Sequence, residues 1–429
     1  MTTPDSKISS TLISAWGAVF SMTLCVVVLI ASEFMPVSLL TPIAGDLHLT
    51  EGQAGQAISI SGLFAVITSL FIAGLTRRID RKVVILAFSA LLILSGMIVA
   101  FAPTYPVLMA GRALLGIAIG GFWSMSTAVI MRLLPEKAVP RGLAMLNAGN
   151  AVAATVSAPL GSLLGDYIGW RGAFFFVVPL AILALVWQWT SMPSLPPQRR
   201  IGQGNMFRLL GRRQILLGMT AILLLFMGQF SLFTYLRPYL EAVSGYSVPA
   251  LSLVLLLMGL AGVAGTWCIS RLLATRLYSI LIIIPLVMAA IAVLLIPLSS
   301  FKVPVAGLLI GWGFFGTAAP VGWGTWLSRV LRDDAEAGGG LQVAVIQLAI
   351  TVGAAAGGLL FDGAGWWSTL ALAMALLVGS SCAAWAAWFE WEKSTCNRNV
   401  SNAELSLEPS SPALSRRTRF WPRRPAPQA

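Results

Sequence analysis

The chain reads as an all-α membrane protein of twelve transmembrane helices in two six-helix halves. Three observations predict this: long apolar runs, positive charge confined to alternate loops, and an internal repeat. Of its 429 residues 57% are hydrophobic and only 10% charged, with mean hydropathy +0.85, values that exclude an ordinary soluble globule.

Runs of about 20 apolar residues, the length that crosses a bilayer, fall at 16–40, 53–75, 83–102, 105–133, 141–165 and 171–190. Six more follow at 215–240, 248–270, 278–299, 302–328, 341–361 and 366–389. Only Lys7 precedes the first run, which is too long for a cleaved signal peptide and is expected to remain as a helix. Residues 1–15 are then an N-terminal segment, 16–190 the first half and 215–389 the second. Between them, 191–214 carries Pro193, Pro196, Pro197 and an arginine cluster, a linker pattern. The polar, Pro-rich stretch 390–429, with arginines from Arg416 to Arg424, is expected to be a disordered tail.

The net charge of +12 reflects topology. If both termini lie inside, all 28 Lys and Arg face the cytoplasm except Arg112, Arg171, Arg237 and Lys302, as the positive-inside rule demands. An inner-membrane protein with both termini cytoplasmic is expected, with no nucleic-acid partner. Cys25, Cys268 and Cys382 sit in apolar runs and Cys396 in the tail, so no disulfide framework is expected. The lone His48 reads as a solvated loop residue, and no cluster has metal-ligand spacing. No Gly-Lys dipeptide occurs, which excludes a P-loop of the usual pattern. No metal, cofactor or catalytic residue is expected.

A shift of 196 residues aligns Gly161-x-Leu-Leu-x-Asp-x-x-Gly169-Trp170 with Gly357-x-Leu-Leu-x-Asp-x-x-Gly365-Trp366. It also pairs Gly111 with Gly307, Gly120 with Gly316, Phe34 with Phe230 and Pro42 with Pro238. One offset serving several helices indicates a duplication. Because each copy has six spans, both keep the same orientation, the parallel-repeat plan with a midplane site between halves.

Two charges interrupt the apolar runs, Glu33 in the first and Arg112 in the fourth. An ionised side chain there costs about 2.5–3.5 kcal/mol even on the lenient insertion scale, so such charges are rarely left unpaired. Each lies about eight residues, or about 12 Å, from the outer surface, so the two can meet as an ion pair. A titratable acid beside a permanent cation suits a proton-coupled transporter; a pair that only fixes packing is the alternative. Their repeat partners are Gln229 and Leu308, so the titratable pair belongs to the first half alone. Gln229 reads equally as a solute-binding amide or as interhelical glue.

At this point a resemblance enters. The stretches Glu33-Phe-Met-Pro-Val-Ser-Leu-Leu-Thr-Pro, Gly120-Gly-Phe-Trp-Ser-Met-Ser, Pro320-Val-Gly-Trp-Gly-Thr-Trp and Leu341-Gln-Val-Ala-Val-Ile-Gln-Leu resemble the major facilitator superfamily. Over residues 16–389 the chain looks like its twelve-helix drug:proton antiporters, and those stretches look most like bacterial exporters of purine ribonucleosides. Multidrug and sugar exporters share much of this framework. Arg112-x-x-x-Gly116 with Gly120 matches the family motif whose buried arginine is linked to proton transfer. Gly149, Pro159 and Gly161 match the antiporter motif, with Ala158 in place of a glycine. The segment Gly74-Leu-Thr-Arg-Arg-Ile-Asp80-Arg-Lys is a degraded form of the family's gate motif, with Arg77 where the aspartate is usual. Asp80 is expected to supply a substitute ion pair.

The resemblance implies export of a small neutral solute, a purine ribonucleoside, in exchange for protons, by a monomer in the lipid bilayer. Glu33 and Arg112 would couple protons. Asn147, Asn150, Gln229, Gln342 and Gln347 offer amides that donate and accept, as purine edges and ribose hydroxyls require. Phe233, Trp123, Trp312, Trp323 and Trp326 offer flat apolar walls, though for any one of them packing or an interfacial belt is the favoured reading.

Overall fold

A computed structural model describes residues 4–197, 206–331 and 335–407, and all regular elements among them are helical. They are α1 (Pro4–Asp46), α2 (Glu51–Leu75), α3 (Arg81–Ala100), α4 (Tyr105–Leu133), α5 (Val139–Ser191) and α6 (Arg213–Phe233). There follow the single turn α7 (Leu236–Pro238), α8 (Val248–Leu295), α9 (Lys302–Val330), α10 (Ala335–Ala364) and α11 (Trp367–Leu407). A 3-10 turn covers Met206–Gly211 and a π turn Tyr239–Val243.

Eleven of these stretches are long and apolar enough to span, and the twelfth crossing is hidden in α5. Its 53 residues would extend about 80 Å at 1.5 Å per residue, far beyond a hydrocarbon core of about 30 Å. Gly169, at φ 75°, breaks it into two antiparallel arms. Its repeat partner Gly365, at φ 91°, makes the same break between α10 and α11. Glycine adopts this left-handed backbone without Cβ strain, which is why Gly-Trp recurs at one offset in both halves. Arg276 (φ −129°, ψ 42°) divides the two spans of α8.

Local signals set the element ends. Thr50 and Gln53 form a reciprocal capping box at the start of α2, with bonds of 3.0 and 3.1 Å. Asp80 caps α3 by accepting from the Lys82 amide at 2.7 Å. Prolines in the first turn open α4, α5 and α8, where a missing N–H costs nothing. The polar stretch from Glu390, expected to be disordered, instead continues α11 as helix to Leu407. Residues 408–429, including the terminal arginine cluster, lie outside the described residues, as do Arg199 and Arg200 of the linker.

The buried residues form two cores, one per half. Four residues cross over: Val37, Ile58 and Ala158 pack into the second half's core, and Tyr235 into the first's. All four lie toward the end of the bundle that carries Asp46, Arg171 and Lys302. The polar links between halves lie toward that end too. Asp362 accepts from Thr50 Oγ1 at 2.6 Å and from the Gly52 amide at 3.0 Å. Gln56 Nε2 donates to Ala355 O at 3.4 Å, and Arg237 donates to Ser38 O. At the opposite, basic end hydrogen bonds within each half are found. Arg132 and the Arg81 amide bind Leu195 and Pro196 carbonyls, while Arg329 binds Leu273 O. The described polar links between the halves thus cluster at the end that carries Asp46, Arg171 and Lys302.

Candidate functional site

Proline chemistry on α1 organises the site. In a helix each carbonyl accepts from the amide four residues on, and proline has no such donor. Pro36 and Pro42 lie inside α1, so the carbonyls of Ser32 and Ser38 lose their helical partners. Arginines from other helices supply both. Arg112 Nη1 donates to Ser32 O at 2.6 Å, and Arg237 donates to Ser38 O.

The rest of the Arg112 guanidinium is equally committed. Nε donates to Ala57 O at 2.9 Å, and Nη2 to Ser61 Oγ at 3.1 Å and Glu33 O at 3.4 Å. Arg112 is 1% exposed and Glu33 3%. The expected carboxylate–guanidinium ion pair is absent: what Arg112 takes from Glu33 is its backbone carbonyl. The two side chains are still close enough to interact electrostatically, and the Glu33 carboxyl lies within hydrogen-bonding reach of the Gln347 side chain on α10. Gln347 Oε1 itself has no partner. A buried acid in the first half thus faces an amide of the second.

Phe34 marks where the halves meet. It stacks on its repeat partner Phe230, with centroids 5.8 Å apart, and meets Phe233 edge-on at 6.2 Å. Beside these rings is a cavity of about 100 Å³. Gln229, Trp312, Thr155 and Gly316 line it with the three phenylalanines. Gln229 Oε1 and Trp312 Nε1 are buried without hydrogen-bond partners, an arrangement that costs about 1–3 kcal/mol per orphaned group. Pro159 and Pro320 stand four residues after Thr155 and Gly316, so the carbonyls of these two residues have no helical donor. Gln229 and Trp312 give the cavity an acceptor and a donor beside aromatic faces.

Of the residues expected to touch solute, Gln229 and Phe233 line this cavity, and Gln347 lies on the Glu33 side. Trp323 is in the second half's core, edge-on to Trp326 at 5.4 Å. Trp123 packs against the first half's core. Asn147 is exposed and donates to Leu143 O at 3.0 Å. Asn150 is half-buried and Gln342 buried, and neither is among the cavity's lining residues. Sequence reasoning missed Phe34, Thr155, Gly316 and Arg237. Prolines four residues after Thr155, Gly316 and Ser38 were the available signal.

The antiporter-like residues act by closeness. A Cβ on Gly149 would come within 2.7 Å of Thr23 Cγ2, and one on Gly161 within 2.7 Å of Ser38 Oγ. They hold the first arm of α5 against α1, with Pro159 buried between. In the gate segment Asp80 bonds to the chain beyond α5, accepting from the Leu195 amide at 2.9 Å and from Ser194 Oγ. Desolvation pushes this carboxyl up, but the bonds from Ser194, Leu195 and Lys82, with Arg132 nearby, outweigh it and hold it below its ordinary range. The described contacts of Asp80 are thus hydrogen bonds within the first half.

Comparison with known proteins bears on this helical plan directly. The family model of the Major Facilitator Superfamily matches residues 22–339. The chain belongs to the major facilitator superfamily. It is 44% identical over 363 residues to the purine ribonucleoside efflux pump NepI of Escherichia coli K12, covering 85% of this chain and 92% of that one. It is 54% identical over 368 residues to a Pseudomonas aeruginosa protein named transcription regulatory protein OpdE, covering 85% and 92%. A solved D-xylose-proton symporter superposes with TM-score 0.70 at 15% identity, covering 86% of this chain and 97% of that one. That likeness carries the fold alone.

Proposed function

We propose that this superfamily member is a proton-coupled exporter of purine ribonucleosides, working by alternating access in a bacterial inner membrane with both termini cytoplasmic. The observation that carries the solute class is 44% identity to purine ribonucleoside efflux pumps over 85% of the chain. The cavity supports it: unpartnered Gln229 and Trp312 beside Phe34, Phe230 and Phe233 offer hydrogen bonds and stacking to a neutral heterocycle. At about 100 Å³ it is below the usual ligand-pocket range of about 300–1,000 Å³, so the halves must part further to admit a nucleoside. Glu33 serves as the proton site, with Arg112 favouring its charged form and Gln347 sensing its state from the other half.

The test is counterflow of labelled inosine in proteoliposomes, with sugars and cationic drugs as competitors. Unlabelled guanosine should compete and the others should not. Gln229→Leu should lower nucleoside exchange about tenfold or more, because a site built to hydrogen-bond its substrate rejects poorly matched partners strongly. Glu33→Gln should retain exchange but lose accumulation driven by a pH gradient. Competition by cationic drugs alone would replace the solute class with a multidrug one. Absence of any exchange would favour a regulatory role without transport, which the name of the 54% identical relative suggests for that protein.

A further inference from the structure

A second cavity lies away from the interface between halves. It has about 280 Å³ and forms where the break in α8 meets the ends of α9 and α11 at the basic end. Arg276 and Arg329 line it together with Tyr278, Trp326, Trp388 and Trp391. Arg329 is engaged, donating to Leu273 O at 3.0 Å. Arg276 makes no hydrogen bond or ion pair with the described residues. Trp326 is fully buried, and its Nε1 lies near the Tyr278 hydroxyl without meeting hydrogen-bond geometry. That hydroxyl accepts instead from Gln214 Nε2 at 3.1 Å. Trp391 packs on Tyr278 at 5.6 Å between centroids.

The repeat shows why this place is open. The 196-residue offset pairs Arg276 with Asp80, Trp388 with Met192 and Trp391 with Leu195. In the first half the chain leaves its helix after Ser191, and Ser194, Leu195 and Pro196 fill the equivalent site by bonding Asp80, Arg81 and Arg132. In the second half α11 runs straight on, so no such segment among the described residues fills it. The acid is replaced by an arginine as well, so the charge the site seeks is inverted. Glu390, the counterpart of Ser194, lies 3.6 Å from both Arg213 and Lys393 and is already shared between two cations.

We propose that this pocket binds the phosphate of an organic phosphate ester, held by Arg276 and Arg329 with the remainder of the molecule against Trp388 and Trp391. Guanidinium groups match phosphate oxygens in fork geometry, and the tryptophans supply apolar faces. Exposed Trp385, Phe389 and Leu272 nearby set the rim at the membrane–water interface, where Trp concentrates. An anionic phospholipid headgroup and a soluble nucleoside monophosphate share this chemistry, and the experiment separates them.

Full-length protein is titrated with phosphatidylglycerol or phosphatidylcholine under native mass spectrometry, and with adenosine monophosphate by calorimetry. Preferential retention of phosphatidylglycerol identifies a lipid source, whereas calorimetric binding without lipid preference identifies a soluble one. In either case Arg276→Gln should weaken binding about tenfold, the value of one charge-assisted contact. Trp391→Leu should weaken it less, and the exposed Arg78→Gln not at all. Thermal melting of each variant separates loss of binding from loss of fold. Failure of both ligands to bind, or wild-type affinity in Arg276→Gln, would overturn the proposal. These readouts involve no transport, so they stand or fall apart from the exporter assignment.

Discussion

At the scale of single residues, Arg112 is buried and fully engaged in the membrane interior. It satisfies three carbonyls and a hydroxyl from α1 and α2, one of them freed by Pro36. Removing it orphans the buried Ser32 carbonyl, at about 1–3 kcal/mol, and takes a further bond from Ala57 O, Glu33 O and Ser61 Oγ. Arg112→Ala should therefore lower the melting temperature in detergent much more than Glu33→Gln does. Because Arg112 is bound to the backbone and makes no ion pair with the Glu33 carboxylate, combining Glu33→Gln with Arg112→Leu should give no rescue. Near-additive melting shifts in that double-mutant cycle would bear this out, and full recovery would show that the pair forms in another state of the protein.

Among the elements, the helices approach closely wherever glycine faces a neighbour's backbone. A Cβ on Gly120 of α4 would collide with Ala65 O of α2, whereas one on Gly74 meets open space. Gly120→Ala should destabilise the protein by about 1–3 kcal/mol through overpacking, and Gly74→Ala should melt like the parent. The anchorage of the segment after α5 to Asp80 carries its own pH signature. A carboxyl held below its ordinary range contributes stability that is complete above that range and lost as pH falls through the lowered value. The protection factor of the Leu195 amide, its exchange relative to a free amide at the same pH, should be high at neutral pH and fall in acid. In Asp80→Ala it should be low throughout, with no such transition.

Across the whole molecule, the latch that joins Thr50 and Gly52 to Asp362 ties the two halves together at one end. The proposed alternating-access cycle requires that contact to part. Thr50→Cys with Asp362→Cys, bridged by a short bifunctional thiol reagent, should abolish net transport while each single variant retains it. Continued transport at high cross-linking yield would mean the latch need not open. The number of crossings, their twofold repetition and the presence of a buried acid and arginine were legible in the chain itself. Hydrophobic run length answers to bilayer thickness, loop charge to membrane sidedness, and Gly169 and Gly365 to a backbone that disfavours Cβ. What only the tertiary structure decided was who partners whom. Arg112 and Arg237 serve proline-freed carbonyls on α1, and Glu33 faces Gln347 from the opposite half. Trp123 and Trp323 are core, while Phe34, Thr155 and Gly316 line the cavity. Periodicity places a side chain on a helix, but the rotation of that helix against its neighbours is set by many small packing contacts between residues far apart in sequence. No local pattern encodes that sum.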